Sequence, residues 1–210
     1  MPTALLTGFG PFPGVPDNPT AHLAARLDGA VAGDRAIRAE RLSVALDGLA
    51  ARLEAAVLAH RPTILLLTGV AERTAEIRLE THAWNRADFP CPDQNGAWPR
   101  GVALRPGGPD HYRAPLPEQP LARAMDGLGL PWRWSDDPGR YVCNALYYYA
   151  LDRLRLPCLF LHVPLHADAG GPVALDSLER CVVTVLMTLG SAAPTARTPT
   201  ASGIAAKGAG

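Results

Sequence analysis

Two side chains in this sequence have the type and setting for nucleophilic chemistry. Cys143 lies in Tyr141-Val142-Cys143-Asn144, just after the turn-forming run Ser135-Asp136-Asp137-Pro138-Gly139 and at the mouth of a predicted helix. The positive end of a helix favours a thiolate, the attacking species, and a histidine nearby in space favours it further. His162 ends the apolar run Leu159-Phe160-Leu161-His162-Val163-Pro164, which reads as a buried strand. A Cys–His pair that hydrolyses amides is completed by an acid that orients the imidazole. Taken singly, each residue also has an ordinary reading, the cysteine as a small buried apolar group and the histidine as a hydrogen-bonded core residue.

The elements that must position this pair follow from periodicity. Ala4 to Thr7 reads as a first buried strand, followed by a Gly- and Pro-rich loop. Asn18 is a good N-cap and Pro19 a good first helical residue, so a helix is predicted through Leu23 to Leu27. Ala36 to Arg41 reads as a weak strand. Ser43 opens a predicted helix with Leu46, Leu49, Leu53 and Val57 at helical spacing and Pro62 at its end. Ile64 to Thr68 follows as a central strand, and Ala75 to Ala83 as a half-buried one. From Asp88 to Pro138 the chain is dense in Pro and Gly, predicting loops, a hairpin at Asn95-Gly96 and one periodic segment at Leu121 to Leu128. Cys143 to Leu154 reads as a helix, and Asp176 to Leu189 as a final helix with Asp176 and Glu179 spaced as a capping box. Strands alternating with helices predict a single-domain α/β/α sandwich around a mostly parallel, mixed and twisted sheet over residues 1–190. Residues 191–210, composed of Ala, Gly, Ser, Thr and Pro among few others, read as a disordered tail.

Composition excludes several functions. Lys plus Arg and Asp plus Glu each number 20, so the chain lacks the basic footprint of a nucleic-acid or anionic-membrane binder. Its apolar runs are too short to span a bilayer, and the N-terminus lacks the design of a secretory signal. Cys91, Cys143, Cys158 and Cys181 are scattered without a C-x-x-C pair, which fits a reducing, cytoplasmic setting rather than a disulfide framework. His162 and His166 are four apart, but Pro164 between them opposes the helix that a zinc motif of this spacing needs. Gly107-Gly108 and Gly170-Gly171 lack the lysine of a phosphate loop and read as turns.

Four segments together resemble the pyroglutamyl peptidase I (pyrrolidone-carboxylate peptidase) family. They are Leu6-Thr7-Gly8-Phe9-Gly10-Pro11-Phe12 with Asn18-Pro19-Thr20, then Gly69 to Asn85, then Gly139 to Asn144, then Phe160 to Pro164. Within the second, Gly69, Ala71, Ile77, Glu80, Ala83 and Asn85 stand at the offsets of the family's glycine, alanine, isoleucine, catalytic glutamate, alanine and asparagine. The resemblance therefore implies Glu80 as the acid, Cys143 as the nucleophile and His162 as general base and acid. It implies that Phe9, Phe12 and Tyr141 line a pocket for the pyrrolidone ring, that no cofactor or metal is needed, and that the chain forms a homo-oligomer, a dimer or tetramer. The implied activity is hydrolysis of the amide bond after an N-terminal pyroglutamyl residue, through a thioacyl-enzyme intermediate, on peptides whose N-terminus is blocked. The sequence departs from the pattern in the segment that reads the substrate. Val70 replaces a recognition glutamine, Glu72-Arg73 a pair of glycines, Leu79 a proline and Pro90 an arginine for which Arg86 is the nearest substitute. These departures motivate an alternative, a non-catalytic or altered-specificity paralogue that binds or hydrolyses another small cyclic or N-acyl amide.

Overall fold

The computed structural model describes residues 1–191; of the predicted tail at 191–210, Ser191 ends the last helix and the rest lies outside the described residues. The elements run in the order β1 (Thr3–Phe9), α1 (Pro19–Leu27), β2 (Val31–Ala32), β3 (Arg35–Leu42), α2 (Leu49–His60), β4 (Ile64–Val70), β5 (Ile77–Glu80), β6 (His82–Trp84), β7 (His111–Arg113), α3 (Glu118–Asp126), β8 (Trp132–Ser135), α4 (Val142–Arg153), β9 (Cys158–Val163) and α5 (Leu175–Ser191). Seven strands form one sheet in the order β2-β3-β1-β4-β9-β5-β8, and β6 pairs with β7 in a small ribbon. The pairs β1/β3, β1/β4, β4/β9 and β5/β8 are parallel, whereas β2/β3 and β5/β9 are antiparallel.

Strand alternation sorts the core into two layers. Leu6, Leu66 and Leu161 face α1, α3 and α5, and Leu5, Leu65, Leu67 and Phe160 face α2 and α4. Central strands buried on both faces read as continuous apolar runs, which is why β4 and β9 were the plainest strands in the sequence. At the start of α1 the Asn18 side chain accepts the Thr20 N–H at 3.0 Å, as its N-cap position predicts. This helix packs so closely on β1 that a Cβ on Gly8 would lie 2.0 Å from the Thr20 carbonyl oxygen.

Four local expectations change. The second helix begins at Leu49 rather than Ser43, because Gln94 and Asp93 accept the Val44 and Leu46 N–H groups at 2.9 and 2.8 Å and hold that segment open. The strand expected through Ala83 breaks at Thr81, whose N–H turns to the Ser135 carbonyl (2.7 Å) while its own carbonyl accepts from Ala114 (2.9 Å). Asn95-Gly96 sits in a turn held by the Asp93 carboxylate, which accepts both the Asn95 and Ala97 N–H groups at 2.9 Å; no strands flank it, so it is not a hairpin. Asp176 and Glu179 lie inside α5 and reach Arg26 at 2.9 and 3.4 Å instead of forming a capping box. None of the helices described is long and apolar enough to cross a membrane.

Candidate active site

The parallel register of β4 and β9 sets Gly69 beside His162, and the antiparallel register of β5 and β9 sets Glu80 opposite Phe160. Glu80 is thus the diagonal neighbour of His162 on the sheet face that α4 covers. Its Oε1 lies 2.8 Å from His162 Nδ1, so the imidazole N–H donates to the carboxylate. Glu80 is 0% exposed, and such a charge is tolerated inside a protein only when paired. Its second oxygen, Oε2, has no protein partner among the described residues. The Tyr147 hydroxyl donates to the Glu80 carbonyl at 2.9 Å, and the Phe160 ring lies 4.7 Å from the imidazole between centroids. Both contacts fix the strand segment and the ring it orients.

Cys143 is the second residue of α4, whose N-cap, Tyr141, makes no side-chain capping bond. The first intrahelical bond is that of the Ala145 N–H to the Tyr141 carbonyl (3.2 Å), so the N–H groups of Val142, Cys143 and Asn144 precede the helical ladder. The thiol rests on β4: a Cβ on Gly69 would lie 2.7 Å from Cys143 Sγ and 2.9 Å from Phe160 Cζ. Glycine there lets the sulfur settle beside His162. Burial alone would lower the basicity of His162, but its interaction with the Cys143 side chain and its hydrogen bond to Glu80 outweigh this and raise the pKa to about 9. With Nδ1 engaged by Glu80, Nε2 is the nitrogen left for Cys143.

One anchor at this helix end went unrecognised in the sequence. Asn144 is fully buried and ties α4 to the strand that follows Glu80: its Oδ1 accepts the Trp84 N–H (2.8 Å), and its amide donates to the carbonyls of Trp84 and Arg86 (2.9 Å each). The motif contains this asparagine, yet no local pattern signals a bond across 60 residues.

A cavity of about 250 Å³ opens in front of Cys143 and His162. Phe9, Phe12, Val70 and Tyr141 line it, together with Asn18, Val44, Glu72, Pro90 and Cys91. Glu80 is not on this wall and stands behind the histidine. The Tyr141 phenol is pushed far up by burial and by neighbouring Cys91, so it stays protonated; its hydroxyl donates to the Pro92 carbonyl at 3.2 Å, and its ring packs 4.5 Å from Phe89. Arg86, the nearest substitute for the missing arginine, donates instead to Asp88 (3.0 Å), and neither it nor Arg73 lines the cavity. Cys158 and Cys181 are buried, and burial pushes the Cys181 thiol up to about 12.

Residues 3–170 match the family model for pyroglutamyl peptidase. The chain belongs to the pyroglutamyl peptidase family. Among its relatives, the pyrrolidone-carboxylate peptidase of Deinococcus radiodurans is 36% identical over 183 residues, covering 84% of each chain. That of Cupriavidus taiwanensis is 34% identical over 204 residues, covering 90% of this chain and 93% of the relative. The fold is that of pyroglutamyl peptidase I from Bacillus amyloliquefaciens, with a TM-score of 0.85 at 28% identity over 90% of this chain and 98% of that one. The pyrrolidone carboxyl peptidase of Thermus thermophilus superposes with a TM-score of 0.83 at 32% identity, over 89% of this chain and all of the other. This member of the family has the α/β sandwich and mixed sheet expected of it.

Proposed function

We propose that this pyroglutamyl peptidase family member removes N-terminal pyroglutamate from peptides by cysteine catalysis, with Cys143 as nucleophile, His162 as proton shuttle and Glu80 as the group that orients the shuttle. The observation that carries the reading is the succession Glu80, His162, Cys143 from buried core to cavity wall, held on β5, β9 and α4. Phe9, Phe12 and Tyr141 present aromatic surface to the flat lactam ring, and Val70 extends the apolar wall. The Cys143 thiolate attacks the pyroglutamyl carbonyl, and the N–H groups ahead of the α4 ladder stabilise the oxyanion. His162 passes its proton to the departing amine, leaving the acyl group on sulfur as a thioester. Water, deprotonated by His162, then releases pyroglutamate and restores the thiol.

Reduced protein should hydrolyse a chromogenic pyroglutamyl amide, and Cys143→Ser and His162→Ala should abolish turnover. Failure of the unmodified chain at every enzyme concentration would sink the reading. Cys143 should also alkylate with iodoacetamide near neutral pH much faster than Cys91, Cys158 or Cys181. Val70 and Glu72 on the cavity wall favour a second reading, in which the ring is read differently from a glutamine-bearing site and another small cyclic or N-acyl amide is preferred. Relative kcat/KM over a panel of such amides separates the two. The proposal extends to a homo-oligomer, dimer or tetramer, in a reducing cytoplasm, to be checked by light scattering and by cell fractionation.

A further inference from the structure

Beside the cavity lies a second cluster that the peptidase reading does not use. Asp17 immediately precedes the N-cap Asn18, and His22 is one turn into α1. These are the two positions that a hydrophobic staple normally joins at a helix start, so the backbone itself brings their side chains together. Here the joined groups are polar, and His22 Nε2 contacts Asp17 Oδ1. The third member comes from across the fold: His166, four residues past His162, places Nε2 3.2 Å from Asp17 Oδ2. His166 is 2% exposed, and its backbone is pinned because its carbonyl accepts from Ala169 (3.0 Å) and Gly171 (2.9 Å). The His22 and His166 rings pack edge to face at 5.4 Å.

One ligand atom from each residue falls within 4.8 Å of the others. A tetrahedral zinc ion with bonds of about 2.0–2.1 Å needs ligand separations of roughly 3.3 Å, close to the 3.2 Å between His166 Nε2 and Asp17 Oδ2, and His22, the third ligand, is on the half-exposed side of the cluster. From these distances we propose that Asp17, His22 and His166 form a binding site for a divalent transition metal of the zinc class, with three protein ligands and an open fourth position for water. Two neutral imidazoles and one carboxylate match the ligand preference of such ions. The Asp17 and His22 side chains are each 46% exposed, which gives the ion an entry path to a site whose third ligand is buried. An ion there clamps the loop that carries Phe12 and Asn18 to the segment just beyond His162, joining two walls of the cavity.

The test uses the full chain in a Cys143→Ser background, so that the thiol and His162 do not offer zinc a competing site. Titration with Zn²⁺ alone against a chromophoric chelator should give one equivalent bound, and Co²⁺ should give the visible absorption of a tetrahedral site. At a hundredfold excess of Zn²⁺ over its Kd the melting temperature should rise by about 5–10 °C. Adding His22→Ala or Asp17→Asn, both at half-exposed positions, should weaken binding by more than the roughly 10–100-fold that changes outside the ligand set cost, and should cancel the thermal shift. His166→Ala should do the same, but this buried position can fail to fold, so the other two decide. Absence of binding in the Cys143→Ser chain, or binding and thermal shift unchanged by His22→Ala and Asp17→Asn, overturns the proposal. These readouts require no turnover, so they stand or fall separately from the peptidase reading.

Discussion

Replacing Glu80 by Gln separates orientation of His162 from stability of the fold. The amide keeps the carboxylate's shape but loses its charge, at a site that is 0% exposed and 2.8 Å from Nδ1. A hydrogen bond to a charged group contributes about 1.5–3 kcal/mol, which at 1.4 kcal/mol per factor of ten is a loss of about 10- to 150-fold in stabilising the imidazolium. If the amide N–H₂ end turns toward the ring, it selects the wrong tautomer, and the loss approaches the roughly 10⁴-fold seen when the acid of a serine triad is made an amide. The expected fall in kcat/KM on a pyroglutamyl amide is therefore about 10–10⁴-fold. With the Glu80 contribution removed and that of Cys143 remaining, His162 should titrate below its native value of about 9, drawing the alkaline limb of the pH–rate profile downward. Stability should respond differently. Glu80 Oε2 has no protein partner among the described residues, so the desolvation cost of the charge is incompletely offset; a neutral replacement costs stability where His162 is charged and little once His162 is itself neutral. At about pH 10, where His162 is neutral in both proteins, the melting temperature should stay within about 4 °C of the parent, corresponding to roughly 1 kcal/mol, and the gap should widen as pH falls. Rates and pH profiles measured from pH 5 to 10, alongside thermal melts, check all three. An unchanged kcat/KM with an unchanged alkaline limb would refute the orienting role, and a large loss of melting temperature at about pH 10 would refute the account of the buried charge.

Gly69→Ala would put a methyl 2.7 Å from Cys143 Sγ and 2.9 Å from Phe160 Cζ, so it should cost about 1–3 kcal/mol in urea denaturation and displace the thiol, lowering kcat/KM at least about tenfold. Asn144→Ala leaves one backbone N–H and two carbonyls without their partner at a buried helix start; about 3 kcal/mol of stability should be lost, read as a fall of about 6–12 °C in melting temperature. Because the folded pKa of His162 is raised, its contribution is fully present below the unfolded value near 6.5 and is lost as pH rises through about 9. Stability should therefore fall between about pH 6.5 and 9.5 by up to roughly 3 kcal/mol, and a flat urea midpoint across that window in the native chain contradicts the raised pKa.

The periodic, locally determined parts of this protein were legible in its sequence. Buried central strands such as Ile64–Val70 and Cys158–Val163 are written as apolar runs, and Asn18-Pro19 encodes the start of α1 through a cap that acts within two residues. The family's motifs likewise point to Cys143, His162 and Glu80 because chain order is preserved in them. Elements of two to four residues, β2, β7 and β8, left no readable period, and the start of α2 was misread because side chains some 50 residues away hold its first residues open. Alternation alone made Ala75 to Ala83 a half-buried strand and did not say what would cover the face that carries Glu80. Only the tertiary structure decided that this face lies beneath α4, where a carboxylate must find a partner and His162 supplies it. Asn144 and the Asp17–His22–His166 cluster belong to the same class. Their contacts join segments distant in the chain, and a side chain's local sequence carries no information about which remote surface packing will bring against it.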